Sequence, residues 1–105
     1  MTIRKAQFSI GDVVHHRLFD YIGVVFDVDP EFSLSEEWYD QVAQSRPPKD
    51  APWYHVLVNG QTETTYVAER NLEQAENPKP IDHPLIEEMF AAYRNGRYEV
   101  RGHVN

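Results

Sequence analysis

A chain of 105 residues, 41% apolar and 26% charged, has room for one hydrophobic core, since a domain of this size buries roughly 60 to 70% of its unfolded surface. It contains no cysteine, which leaves no material for disulfides, a thiolate nucleophile or a cysteine-ligated zinc. Its net charge of −7 works against general attraction to nucleic-acid phosphates.

Met1 to Phe8 carries Arg4 and Lys5 without the apolar run of a signal peptide, and no stretch approaches the roughly 20 apolar residues of a membrane span. A cytoplasmic protein with no membrane partner is the expectation. From Phe8 to His16, β-branched residues follow Gly11-Asp12, a turn feeding a first strand. Leu18 to Ile22 reads as a short loop. Between Ile22 and Asp29 the residues Ile22, Val24, Phe26 and Val28 alternate with Gly23, Val25, Asp27 and Asp29, the signature of a strand with one strongly buried face. Pro30 ends it, because proline cannot donate to the ladder.

Ser33 or Ser35 can cap a short helix over Glu36 to Ala43, and Glu36 and Glu37 suit its positive end. Arg46 to Pro52 follows as a proline-stiffened linker, so residues 31–52 read as a loop excursion within one domain. Trp53 to Val58 is a dense strand, Asn59-Gly60 a turn dipeptide, and Thr64 to Ala68 the return strand of a hairpin. Glu69 to Leu72 makes one tight turn before a last short edge strand. Beyond the linker Asn77 to Pro80, Leu85, Met89, Ala92 and Tyr93 recur at helical spacing with Ile86 and Phe90 beside them. They predict an amphipathic helix stopped near Gly96. The tail from Arg97 to Asn105 has no clear period and is expected to be mobile or laid against the barrel.

These elements predict a mainly β fold: a small SH3-like, partly open barrel of about five strands, with a short loop helix and a C-terminal amphipathic helix. An OB-like barrel is the alternative. One domain spans 1–105, with the barrel over 8–75 and the helix and tail over 81–105.

Four blocks carry a resemblance: Gly11-Asp-Val-Val-His-His16, Tyr21-Ile-Gly-Val-Val-Phe-Asp-Val-Asp-Pro30, Ala51-Pro-Trp-Tyr-His-Val-Leu-Val58 and Thr65-Tyr-Val-Ala-Glu69. In this order and at these separations they resemble the HspQ/YccV-like family over Phe8 to Leu72, the last two blocks being the specific ones. The resemblance implies an SH3-like barrel, binding of hemimethylated DNA, a heat-shock role and enhancement of the substrate specificity of the ATP-dependent Lon protease. In some members the tail is implicated in contact with Lon; from Pro84 onward this chain matches only loosely.

The residues themselves offer little chemistry. Gly-x-Ser-x-Gly, a phosphate-cradling glycine loop and His-Glu-x-x-His are all missing from the sequence, so neither catalysis nor a cofactor is expected. His15 and His16 point to opposite sides of a strand and cannot share a metal, although His55 on a neighbouring strand could join one of them. A packing or surface role for the histidines is the default reading. On its strand His55 shares a face with Trp53 and Leu57, while Tyr54, Val56 and Val58 share the other. The Tyr54 face reads as the inward one, which leaves Trp53 and His55 as a partly exposed aromatic patch. That patch either covers one end of the barrel or recognises a partner.

Trp38 and Tyr39 pose the same choice: one of them docks on the barrel with Val42, or both face water as a docking element. Phe90, on the C-terminal helix, belongs either to the core or to a surface for a second subunit or a protease. Two functions follow. The first is a non-catalytic protein-interaction module acting with Lon, through Trp53, His55, Trp38, Tyr39 and Phe90. The second is a DNA-binding module for hemimethylated sites, with Arg17, Arg70, Arg94, Arg97 and Arg101 on the phosphates and a Trp or Tyr against the methyl group.

Overall fold

The computed structural model describes residues 5–101. Arg4 and residues 102–105 lie outside the described residues, and with them the expectations for the extreme N-terminus and the end of the tail. The β-branched runs become strands as expected: β1 (Val13–His16), β2 (Ile22–Asp29), β3 (Trp53–Val58), β4 (Thr64–Ala68) and, after a 3-10 turn at Glu69–Asn71, β5 (Leu72–Gln74). They form one antiparallel sheet in the order β4-β3-β2-β1-β5. The sheet is curled but open, with β4 and β5 as its two edges.

Both faces of the sheet are covered. One carries Val14, Val25, Tyr54, Val56, Val67 and Leu72, with Phe8 laid over them. The other carries Val13, Val24 and Leu57 and, towards the far end of β3, Trp53. The simple alternation expected along β2 is broken by a bulge: Val25 pairs with Val56 but Asp27 with His55, so Phe26 is the extra residue. Ile22, Val24 and Phe26 therefore pack on one cluster and Val28 on the other. Gly23 sits where a Cβ would collide with the Leu57 carbonyl and a Val56 methyl, so a side chain there would push β2 and β3 apart.

The C-terminal segment departs most from expectation. The helix α2 is a single turn, Ile86–Met89, and Phe90 is already extended at φ −125°, ψ 148°. A hairpin follows, β6 (Phe90–Arg94) against β7 (Arg97–Val100). Asn95 and Gly96 join them with φ of 53° and 83°, the doubly left-handed two-residue turn that matches strand twist. Gly96 thus turns a hairpin where the helical spacing suggested a helix stop. The expected tail starts as β7, and its Tyr98 is buried with Phe90 against Val13, Val24 and Leu57. Arg97 fastens the hairpin through an ion pair to Asp12 at 3.1 Å, and the Tyr98 N–H donates to the Gly11 carbonyl at 2.8 Å. Of the two readings of this apolar arc, core or a surface for a second subunit or a protease, the packing of Phe90, Ile86, Met89 and Tyr93 on the sheet is the core one. Among the described residues no helix is long and apolar enough to cross a membrane.

Candidate functional site: an apolar groove beside the sheet edge

Residues 31–52 fold over one end of the sheet. Ser35 caps α1 (Glu36–Val42) by accepting the Trp38 N–H at 3.1 Å. The helix then docks through Tyr39 and Ala43, both buried against Trp53 and Ala68. The Tyr39 hydroxyl donates to the Pro47 carbonyl at 2.6 Å and the Trp53 indole N–H to that of Pro48 at 3.0 Å. Phe32, Trp38 and Tyr66 complete an aromatic cluster around Trp53, whose ring stacks on Tyr66 at 5.1 Å.

Across from α1 stands the turn after β1. His16, buried at the strand's end, accepts the backbone N–H groups of Leu18 (3.1 Å) and Phe19 (3.0 Å) at Nδ1. Its ring also stacks on Phe19 at 4.7 Å. With those N–H groups turned inward, the Leu18 and Phe19 side chains are thrown outward, and Phe19 is 73% exposed. Asp20, at φ 59°, closes the turn, and Tyr21 ties it to β4 by a 2.6 Å hydrogen bond to Thr65. Burial, with the His15 charge next to it, pushes the His16 pKa below its ordinary 6.5. His15 behaves in the opposite way: hydrogen bonds to Asp20 (2.6 Å) and then Glu73 (2.8 Å) raise its pKa.

Between this turn, α1 and β4 lies a groove of about 790 Å³. Four of the five large apolar side chains that stand exposed among the described residues line it: Leu18, Phe19, Leu34 and Val42. Trp38, Trp53 and His55 contribute to its floor and walls.

The expected interaction residues are only partly gathered here. Trp53, expected to be partly exposed, is 1% exposed, because α1 covers the face of β3 that would otherwise meet water. Tyr39 is buried and docks in the place expected for it, but Val42 points into the groove at 55% exposure instead of docking beside it. Phe90 is 3% exposed in the hairpin cluster and does not line the groove. His55 is half-buried and reaches Asp29 at 3.2 Å.

The arginines do not converge. Arg94 pairs with Glu99 and Arg97 with Asp12, both on or beside the C-terminal hairpin, and exposed Arg101 follows β7. Arg17 pairs with Glu73 at 3.4 Å, and Arg70 donates to the Ser45 carbonyl. These last two stand at the Asn71 and Ser45 end of the groove.

His55 lies on β3, separated from β1 by β2, so it does not join His15 or His16 in a ligand set. With Asp27 and Asp29 it forms a triad whose ligand atoms lie within 4.8 Å of one another. One oxygen of Asp29 already accepts from Ser33 (2.6 Å), Tyr66 (2.7 Å) and His55 (3.2 Å). Although burial opposes it, these bonds lower the Asp29 pKa. The triad reads as a polar clasp joining β2, β3 and β4 to the loop after Pro30.

The groove residues that sequence reasoning passed over are His16, Leu18, Phe19 and Leu34. Two adjacent bulky apolar residues, Leu18-Phe19, in a segment too short to bury them were the available signal. A family model described as YccV-like, hemimethylated DNA-binding protein YccV like, matches residues 6–97.

Proposed function

The chain belongs to the YccV-like family, and on that premise we propose that it is a non-catalytic binding module of the heat-shock type that alters substrate selection by the ATP-dependent Lon protease in the cytoplasm. The observation that carries this reading is the groove, where apolar side chains that a folded domain normally hides are held out in the open by a hydrogen-bonded turn. The net charge of −7 and the engagement of Arg17, Arg94 and Arg97 in ion pairs favour protein over polyanion as the partner. Such a module acts by differential affinity: it shifts the protease or its substrate only as far as it binds one state more tightly than another. The test is proteolysis of a labelled model substrate by Lon of the same organism, with and without the protein. A changed turnover or order of substrate preference is expected, and identical rates would remove the reading.

A second reading is favoured by the family's own description, binding of hemimethylated DNA. Arg17 and Arg70 at one end of an apolar groove suit a phosphate beside a base methyl group. Titration of hemimethylated against unmethylated duplex at about 0.15 M salt separates the two. Methylation-selective binding with no effect on Lon would place DNA first.

A further inference from the structure

His16 is 4% exposed, and its Nδ1 is occupied by two backbone N–H groups, which places the ring proton on Nε2. Among the described residues that Nε2–H has no hydrogen-bond partner. No fully buried side-chain nitrogen or oxygen among the described residues goes unpartnered, and His16 lines the groove, so the Nε2–H opens into it. A donor aimed from the floor of an apolar groove calls for an acceptor on whatever fills it.

Beside it runs β4, an edge strand. Among the described residues the backbone of Thr64–Val67 hydrogen-bonds to no backbone outside β3, and the Ala68 carbonyl starts the 3-10 turn that follows. Neither a Lys, Arg, Asp nor Glu side chain lines the groove, and Arg17 and Arg70 at its end are engaged with Glu73 and the Ser45 carbonyl. The protein as a whole is acidic, with a net charge of −7, although on α1 Glu36 and Asp40 are paired with Lys49 and Arg46. A volume of about 790 Å³ falls within the range of clefts that take a ligand, about 300–1,000 Å³.

From these features we infer that the groove binds an extended polypeptide segment with bulky apolar side chains flanked by Lys or Arg. The segment lies along the free edge of β4, and one of its backbone carbonyls accepts from His16 Nε2–H. Its apolar side chains rest on Phe19, Leu34 and Val42, and its basic flanks are drawn by the net negative charge of the chain. The inference deepens the protein-binding reading above and rests on it: the occupant has the chemistry of an unfolded or extended protein segment.

The experiment uses the full chain and a fluorescein-labelled peptide in which a Leu-Phe-Val run is set between lysine pairs, with a serine-substituted peptide as reference. Fluorescence anisotropy should show saturable binding of the apolar peptide alone. Val42→Glu and Phe19→Ser alter exposed groove side chains and should each weaken it by about tenfold or more. Val100→Glu, equally exposed but outside the groove, should leave it within about twofold. In nitrogen-resolved NMR the His16 Nε2–H signal should move downfield on binding while the tautomer is kept. No saturation, equal loss in Val100→Glu, or full displacement of the peptide by an oligonucleotide would overturn the inference. The Lon assay keeps the two ideas apart. If wild-type protein alters Lon and Val42→Glu alters it equally, the groove assignment fails and the adaptor reading stands. If wild-type protein leaves Lon unchanged yet binds the peptide through the groove, the adaptor reading fails and the groove assignment stands.

Discussion

His15 and His16 are adjacent in sequence and opposite in chemistry, because a strand sends neighbouring side chains to opposite faces. His16 enters the buried end of the groove and must stay neutral to accept two N–H groups at Nδ1. Its folded pKa lies below the unfolded 6.5, so its contribution to stability is complete above 6.5 and is lost as pH falls through the folded value. His15 lies between two carboxylates and its folded pKa is raised. Its contribution is complete below 6.5 and is lost as pH rises through the folded value. The two together predict a local optimum around pH 6.5, falling away on either side. Titration of the two imidazole Cε1–H signals by NMR, beside urea midpoints at several pH values, checks both signs; a His16 midpoint above that of His15 would refute the assignment. The histidine pair was visible in the sequence, but which ring would be buried was not, since that depends on where α1 and β4 come to lie.

At the scale of elements, two short devices decide what the groove looks like. Ser35 holds the first turn of α1, and Ser35→Ala should cost about 1 kcal/mol, read as a lowered urea midpoint with unchanged slope. The helix itself was legible because its cap, its acidic first turn and its apolar spacing agree. Its rotation was not: Tyr39 and Ala43 dock and Val42 turns outward, since the small Ala43 lets the helix sit close to Trp53 and Ala68. At the other end of the chain, Asn95-Gly96 turns β6 into β7. Gly96→Ala should destabilise by about 1–2 kcal/mol, because φ of 83° disfavours a Cβ that would also approach Pro78 at 2.9 Å. Denaturant titration measures the loss, and faster amide exchange should be confined to the hairpin. The expected helix over these residues failed because Leu85, Met89, Ala92 and Tyr93 satisfy helical spacing while Asn95-Gly96 and Tyr98-Glu-Val100 satisfy a hairpin. Hydrophobic spacing alone does not separate the two in a short segment. The hairpin wins by laying Phe90 and Tyr98 on an otherwise uncovered sheet face.

For the whole molecule, that second cover makes the C-terminal quarter structural. Cutting the chain after Pro80 would remove Ile81, Phe90 and Tyr98 from Val13, Val24 and Leu57. At about 1.5–3 kcal/mol for each large apolar side chain, the loss is comparable with the whole stability of a small domain, about 5–15 kcal/mol. The truncated chain should therefore lose its dispersed amide spectrum and bind an apolar dye; a cooperative urea transition in it would show that the sheet stands on one core.

Composition, alternation and turn dipeptides were enough to determine a mainly β fold, the five strands of its main sheet, the capped helix and, through four sequence blocks, the family. Each of these rests on neighbours along the chain. Tertiary structure alone decided that both sheet faces are covered, that Trp53 and Phe90 are core residues, and that His16 lines a groove with Leu18, Phe19, Leu34 and Val42. The physical reason is that exposure belongs to pairs of distant segments. Phe8 must close over one face, and residues 31–52 and 81–100 must both fold onto the other, before either is inside.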